Sequence, residues 1–311
     1  MRIFDCFTFF NEFDLLDIRL AELGPVVDRF VLIEADRTHQ GQRKPLYFQQ
    51  RRHEYDSHGD RIAAFVVDDM PPFAGDPWAL ERHQRARTGS FLEALGARPD
   101  DLVLISDVDE IPRAASIPAA VDMVRRRKFA VFVQRLYRFY LNNVTRDDEH
   151  LCGWCGTVAC LYSQLSMYNA ERVRGRWCNG GQFHRFAGWS RRRRCIADAG
   201  WHFTSMGGPT LLRYKLQSFA HPELDDPQGE RIHAAWSHAG QFSVPDDAPR
   251  CQVYDGNCVC GCTWKSRPQR YALPGTEEFE EALASLPAYV RDHAGELAAL
   301  FRTRAPGTGG G

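Results

Sequence analysis

The alternation of apolar and polar positions predicts strands and helices along the first third of the chain. A weak alternation over residues 2–10 indicates a first strand with Phe7, Phe9 and Phe10 buried. Apolar residues then recur at helical spacing over residues 14–22, and Gly24-Pro25 ends that helix. Similar patterns predict strands at residues 30–35, 62–68 and 102–106, and a helix over residues 78–95 that stops at Gly96. This β-α-β-β-α-β order favours an α/β fold with a doubly wound sheet.

The rest of the chain mixes helices and strands in a less regular order. The pattern predicts helices over residues 118–127, 210–219 and 277–302, and a strand over residues 156–163 that pairs with a long strand over residues 130–141. Residues 225–270 carry few helix or strand signals and are expected to form loops over the site. Because no repeat or linker interrupts the pattern, we expect a single domain over residues 1–302 and a disordered tail over residues 303–311.

A cluster of acidic residues follows the most apolar of these strands. Residues 102–106 are apolar on both faces, which is typical of a parallel strand covered by helices on both sides. Asp107-Val108-Asp109-Glu110 comes directly after it, at the edge where such sheets bind ligands. Residues two apart in an extended chain point the same way, so Asp107 and Asp109 are candidate ligands for Mg²⁺ or Mn²⁺. The alternative is a solvated acidic turn, since a D-x-D triplet alone is a weak signal.

Ordered motifs surround this acidic stretch over roughly residues 1–225. They are residues 3–20 (IFDCFTFFNEFDLLDIRL), 30–35 (FVLIEA) with Thr38 and Gly41, 44–48 (KPLYF), 66–71 (VVDDMP), 76–78 (DPW) with Glu81 and Gln84-Arg85, 104–112 (LISDVDEIP), and 200–208 (GWHFTSMGG) with Lys215, Ser218-Phe219 and His221 to Glu223. In this order they resemble glycosyltransferase family 17, and more closely its short microbial members. Residues 152–195 and 226–270 depart from the family's pattern.

The resemblance implies a GT-A-type, Rossmann-like fold. Its sheet would be mixed, mostly parallel and flanked by helices, with a nucleotide-sugar half over residues 1–112 and an acceptor half over residues 113–302. It also implies an inverting, metal-dependent transferase that moves a sugar, most simply GlcNAc, from a UDP-sugar to a glycan or other hydroxyl acceptor. Two alternatives stay open. One is an inactive glycan-binding or scaffolding protein of the same fold, and the other is a nucleotidyltransferase.

An inverting transfer needs a base that is separate from the metal ligands. Glu223 is the candidate base, and His221 is a candidate third metal ligand through its imidazole. His202 is a second candidate catalytic residue, although a buried core histidine is the more common reading of its apolar flanks. Trp201 is a candidate for stacking on a sugar ring, with core packing as the equal alternative.

Polar residues at the ends of the predicted strands are candidates for binding the nucleotide. Glu34 and Asp69 are expected to accept hydrogen bonds from uracil or ribose, and Asn11 lies at the end of the first strand. Arg85 and Lys44 are candidates for binding the diphosphate, because its developing negative charge requires cations. A surface charge is the alternative for Arg85 and for Lys44.

Composition narrows the class of protein. The 311 residues have 44% hydrophobic content and a net charge of −1, so no overall field favours nucleic acid. We find no secretory signal and no apolar run of about 18 residues, which leads us to expect a cytoplasmic enzyme without a transmembrane segment. The ten cysteines leave free thiols, disulfides and structural zinc open, and only the Cys152/Cys155 spacing fits a zinc pair.

Overall fold

Strands from both parts of the chain build one mixed sheet. The computed structural model describes residues 1–145, 153–178, 194–206, 214–215, 217–218, 269–271 and 275–301. Its first part contains β1 (Ile3–Phe9), α1 (Phe13–Leu23), β2 (Arg29–Ala35), α2 (Tyr47–Arg51), a 3₁₀ segment (Arg52–Arg61), β3 (Ile62–Val67), α3 (Pro77–Ala86), α4 (Thr88–Ala94) and β4 (Leu102–Asp107). These four strands pair in parallel in the order β4-β1-β2-β3, which confirms the predicted α/β arrangement.

The second part extends the sheet beyond β4. It contains β5 (Glu110–Pro112), a 3₁₀ turn (Ala114–Ser116), α5 (Ile117–Arg127), β6 (Phe129–Arg138), β7 (Asn143–Thr145), β8 (Gly153–Leu161), α6 (Tyr162–Met167), α7 (Ala170–Cys178), β9 (Cys195–Ile196), β10 (Gly200–Thr204), β11 (Gln269–Tyr271), α8 (Glu277–Ala284), α9 (Ala288–Asp292) and a last 3₁₀ turn (Ala298–Leu300). β8 runs antiparallel between β4 and β6, and its predicted pairing with β6 is confirmed. β10 leaves the main strand order and bridges β6 to β5.

Helices cover both faces of the sheet. Alternating residues of β1 show this, because Phe4 and Cys6 pack in one apolar cluster with α3, α4 and α7, while Phe7 and Phe9 pack in another with α1. A third cluster lies under α5, and a fourth joins β10 to the C-terminal helices. Among the described residues no helix is long and apolar enough to cross a membrane.

Several predicted boundaries are wrong, and each has a local cause. The single helix predicted over residues 78–95 is two helices, because the Thr88 hydroxyl donates to the Arg85 carbonyl at 2.7 Å and competes with the helical hydrogen bond there. The helix predicted over residues 277–302 breaks at Pro287, which begins α9. β11 is a strand within the stretch predicted to be loops. The helix predicted over residues 210–219 lies largely outside the described residues.

The structure shows the state of four of the ten cysteines. Cys6, Cys155 and Cys160 are buried in the sheet and Cys195 is half-buried, and all four are free thiols. Burial raises the pKa of the Cys160 thiol to about 12, so this sulfur stays protonated and unreactive at neutral pH. Cys152, the partner that would complete the proposed zinc spacing, lies outside the described residues.

Candidate active site

A cleft opens at the carboxyl ends of β1, β2 and β4. β1 and β4 are neighbours in register, with Thr8 opposite Asp107. Ligands of parallel α/β sheets bind at this edge, because the loops that leave the strands diverge there. The described residues that line the cleft are Thr8, Phe9, Phe10, Glu12, Ala35, Arg37, Thr38, His39, Lys44, Glu81, Gln84, Arg85, Asp107, Val108, Asp109, Lys215 and Ser218.

Arg19 fixes the acidic turn that follows β4. Its guanidinium is completely buried and forms a forked ion pair with Asp5, at 2.6 and 2.7 Å. The same group donates to the backbone carbonyls of Asp107, Val108 and Glu110 at 3.0 to 3.2 Å, and to the Ser106 hydroxyl. A turn held by one buried cation in this way has a defined backbone course, so the acidic side chains leave it in fixed directions.

Asp107 faces the cleft and is surrounded by donors. Its carboxylate accepts from the Thr8 hydroxyl at 2.7 Å, from Arg174 at 2.7 Å and from Arg85 at 3.1 Å. Burial alone would raise the pKa of Asp107, but Arg174, Arg85 and Thr8 outweigh it and hold that pKa well below the usual range. About a quarter of the side chain, 26%, is exposed, so a ligand in the cleft can reach this ionised carboxylate.

Asp109 lies two residues further along the turn, at the base of the cleft. Lys215 donates to its Oδ2 at 3.1 Å, and Nε2 of His202 lies 3.7 Å from its Oδ1. Burial would raise the pKa of Asp109, but Lys215 first and His202 second hold that pKa well below the usual range. The pKa of the paired Lys215 is shifted in the opposite direction. Burial would lower its pKa, and Asp109 together with Glu12 raises it well above normal.

Glu110 is turned away from the cleft and buried against α7. Arg174 forms a two-pronged ion pair with it, and the Trp154 indole donates to it at 2.8 Å. The backbone N–H of Asp107 donates to the same carboxylate at 2.9 Å. Glu110 therefore connects the acidic turn to β8 and α7, while Arg174 links it to Asp107.

Arg85 is the second guanidinium on Asp107. It projects from α3 and also pairs with Glu81 and Glu171, each at 2.7 Å. Burial would lower the pKa of Arg85, but Asp107 and these two glutamates raise it well above the normal value. The group is therefore a permanent cation at the wall of the cleft, fixed from three sides.

Lys44 and Glu34 form a buried pair on the opposite wall. The ammonium donates to Glu34 Oε1 at 3.2 Å and lies 5.3 Å from the centre of the Phe10 ring. Burial raises the pKa of Glu34 and lowers the pKa of Lys44, and each partner acts against the shift of the other. Lys44 lines the cleft, whereas the Glu34 carboxylate is fully buried behind it.

One stretch of this chain matches a known protein family. The match to glycosyltransferase family 17 covers the strands β1 to β4, the acidic turn and α5. Residues 1–130 match that family. The resemblance predicted from the motifs is thus confirmed over this part of the chain. Arg174, His202 and Lys215 lie beyond the matched residues.

Relatives with assigned names agree with the family match. The β-1,4-mannosyl-glycoprotein 4-β-N-acetylglucosaminyltransferases of Rattus norvegicus and Homo sapiens are each 36% identical to this chain over 122 residues. The matched stretch covers 36% of this chain and 22% of each relative, so the chain matches about a fifth of their length.

Solved structures offer a weaker likeness. The mannosyltransferase PcManGT from Pyrobaculum calidifontis, solved in complex with GDP-Man and Mn²⁺, is 12% identical to this chain. The likeness covers 97% of this chain and 81% of that one, with a TM-score of 0.39. A TM-score this low supports no conclusion about the fold or the chemistry of this chain.

The structure brings together only some of the residues predicted for the family 17 site. Lys44, Arg85, Asp107 and Asp109 line the cleft. Glu34 lies immediately behind Lys44, at 3.2 Å. His221 and Glu223 lie outside the described residues, so their predicted roles stay predictions.

The other predicted residues lie around the cleft. Asn11 is half-buried in the turn before α1, where its backbone N–H donates to Glu12 at 3.1 Å. Asp69 is exposed and pairs with His83 and Arg87. Trp201 is buried, with its indole N–H bonded to the Ser285 carbonyl and Arg113 over its ring, which fits the core-packing alternative. His202 packs on Trp154 behind Asp109, and its Nδ1 has no hydrogen-bond partner among the described residues.

Three residues that sequence reasoning missed hold the acidic turn. Arg19 on α1 and Thr8 on β1 carry no local signal, because their roles depend on contacts with residues that are distant in the sequence. Arg174 lies on α7, in a stretch that departs from the family pattern. The start of this helix could have been predicted from Asn169, because Asn is a preferred N-cap residue. Its side chain accepts from the N–H of Arg172 at 2.9 Å.

The cleft contains carboxylate oxygens, which are suitable ligands for a hard divalent cation. Asp107 and Asp109 are ionised, come from one turn and both line the cleft, as carboxylate ligands of Mn²⁺ or Mg²⁺ require. No cluster of three or more His, Cys, Asp or Glu side chains that could hold a metal occurs in the described parts of the chain.

The described acidic and basic side chains that line the cleft are equal in number. Four acidic residues (Glu12, Glu81, Asp107 and Asp109) and four basic residues (Arg37, Lys44, Arg85 and Lys215) line it.

Proposed function

We propose that this chain is an inverting, metal-dependent glycosyltransferase that moves GlcNAc from UDP-GlcNAc to a hydroxyl group of a glycan acceptor. The observation that carries the proposal is the pair of ionised carboxylates, Asp107 and Asp109, in a cleft lined mostly by residues of the stretch that matches family 17. The relatives named above are N-acetylglucosaminyltransferases, which supports GlcNAc as the transferred sugar.

The donor diphosphate is assigned to the part of the cleft between the acidic turn and α3. Asp107 and Asp109 would hold Mn²⁺ or Mg²⁺, with His221 as a further ligand. When bound, the cation stabilises the negative charge that develops on the leaving diphosphate. Arg85 approaches the same place from α3, where it is already 3.1 Å from Asp107. Arg85 is thereby positioned to neutralise a phosphate oxygen without a change of conformation.

The nucleoside is assigned to the wall formed by the ends of β1 and β2. Phe10 and Lys44 line this wall, and Tyr47 lies beside them with its hydroxyl 2.6 Å from that of Tyr214. An aromatic ring and a cation in this arrangement suit a planar base and the ribose attached to it. Glu34 keeps Lys44 in place and does not itself face the cleft.

Transfer requires one proton movement by the protein. The acceptor hydroxyl attacks the anomeric carbon from the face opposite the diphosphate, and Glu223 takes the hydroxyl proton. The bond between the anomeric carbon and the diphosphate oxygen breaks, and UDP leaves with the electron pair. An α-linked donor thus gives a β-linked product. His202 is the second candidate for the base; its contact with Asp109 suits it to orienting that carboxylate.

Release of UDP from UDP-GlcNAc tests the proposal. The assay compares Mn²⁺, Mg²⁺ and EDTA, with and without mannose-containing glycans as acceptors. We expect release that depends on the metal, and a loss of at least about a hundredfold in Asp107→Asn and in Asp109→Asn. Asp100→Asn, at an exposed position just before β4, is the matched control and should behave as the wild type.

The outcomes separate the competing functions. Activity that persists in EDTA would remove the metal from the proposal, and an α-linked product by proton NMR would remove the inverting mechanism. Binding of glycan without any UDP release would instead identify a glycan-binding protein. Release of pyrophosphate from a nucleoside triphosphate would identify a nucleotidyltransferase.

A further inference from the structure

Lys215 lies between two carboxylates at the base of the cleft. Its ammonium is 3.1 Å from Asp109 Oδ2 and 3.3 Å from Glu12 Oε1. Glu12 is itself fixed, because its other oxygen accepts from the backbone N–H groups of Phe10 and Asn11. Lys215 therefore bridges the end of β1 to the acidic turn, next to the place assigned to the metal and the diphosphate.

Arg85, Arg174 and Lys215 pair with the carboxylates of the acidic turn, and they are held in different ways. Arg85 and Arg174 are planar guanidiniums, and each makes forked contacts to two or more carboxylates. Such groups are fixed in one orientation. Lys215 presents a compact ammonium on a flexible four-carbon stem, which can change partners by rotation of its side chain. Of these three cations, Lys215 is the one whose chemistry suits movement.

Lys215 also occupies one oxygen of a carboxylate that would hold the metal. A divalent cation held by Asp109 would compete with the ammonium for this carboxylate, because both bind carboxylate oxygens. An ammonium displaced from Asp109 remains within the cleft, beside the diphosphate that accompanies the metal. A lysine is a common point-charge ligand of phosphate oxygens.

We infer that Lys215 is a diphosphate-binding residue of the donor site that exchanges its contact with Asp109 for a phosphate oxygen when metal and donor bind. This inference rests on the proposed function. It predicts two effects of opposite sign for one substitution. Loss of the ammonium removes a competitor of the metal, and it also removes a ligand of the diphosphate.

Calorimetric titration of the full chain tests this with two probes. In Lys215→Met, Mn²⁺ alone should bind about tenfold more tightly, because the ammonium no longer competes for Asp109. At saturating Mn²⁺, UDP should bind about tenfold more weakly, as the loss of one charge-assisted hydrogen bond implies. Lys215→Arg keeps the charge and should change both affinities less. Lys128→Met, at the exposed end of α5, is the matched control and should change neither.

Glu12→Gln provides a second test that does not depend on the stability of Lys215→Met. It removes one carboxylate that holds the ammonium, so UDP should bind more tightly at saturating Mn²⁺. Affinities that both weaken in Lys215→Met would identify a structural support of Asp109 and overturn the exchange, as would two unchanged affinities. A wild-type chain that binds neither Mn²⁺ nor UDP would overturn the proposed function together with this inference.

Discussion

Replacement of Arg19 tests the idea that one buried cation defines the acidic turn. In Arg19→Met the side chain keeps its length and loses its charge, which leaves the Asp5 carboxylate buried without a counter-ion. Breaking a buried ion pair from one side costs about 3–5 kcal/mol. The carbonyls of Asp107 and Val108 also lose a charged donor, so we expect the upper part of this range. The melting temperature should fall by about 8–10 °C, taking about 2 °C per kcal/mol for a chain of this size.

The assay is urea denaturation followed by circular dichroism at neutral pH, with a thermal melt in parallel. Arg82→Met is the matched control, because Arg82 pairs with Asp76 at the surface with both side chains about half exposed. That change should cost no more than about 1 kcal/mol. Combining Asp5→Leu with Arg19→Met should recover part of the loss, since it removes the unpaired charge. A cost below about 1 kcal/mol for Arg19→Met alone would refute the reasoning.

Three further predictions concern other parts of the molecule. Burial would raise the pKa of Asp101, but the N–H groups of Arg98 and Arg2 and the Arg2 guanidinium lower it. As the pH falls, the unfolded chain therefore binds the proton before the folded chain does. In denaturation from pH 3 to 8, Asp101→Asn should lower the stability by a constant amount above about pH 4 and by a smaller amount below it. A constant difference down to pH 3 would contradict this. Glu223→Gln should lower turnover by about two to four orders of magnitude without changing UDP affinity, and near wild-type rates would exclude it as the base. Gly200→Ala should cost at least about 2 kcal/mol in the same denaturation assay, because φ is 149° and a Cβ would lie 2.1 Å from the Ile111 carbonyl; an unchanged midpoint would contradict it.

Local patterns were sufficient to predict the first half of the sheet. β2, β3 and β4 contain continuous apolar runs and β1 has a weak alternation, and these patterns indicate the positions of the strands without knowledge of their neighbours. The acidic turn was predictable for the same reason, because it follows the most apolar strand directly. Lys44 and Arg85 were found through the family motifs, since their own sequence neighbourhoods do not distinguish them from surface charges.

The remaining features depend on contacts between distant residues. Arg19 acts on a turn 88 residues away, and Arg174 reaches Asp107 from 67 residues further along the chain. A side-chain hydrogen bond at Thr88 divides a helix whose apolar pattern continues through it. β10 is short, and it forms because β5 and β6 both offer it an edge. No pattern within a short window of sequence contains this information.

The position of β4 in the sheet has a consequence for any shortened form of the chain. Leu102, Val103, Leu104 and Ile105 are at most 1% exposed, and β8 covers the side of β4 that β1 does not. A fragment that stops at residue 130, where the family match ends, lacks β8 and leaves that side of β4 bare. An uncovered apolar edge strand of this kind recruits strands from other molecules. Such a fragment would be prone to aggregate, although it carries both Asp107 and Asp109.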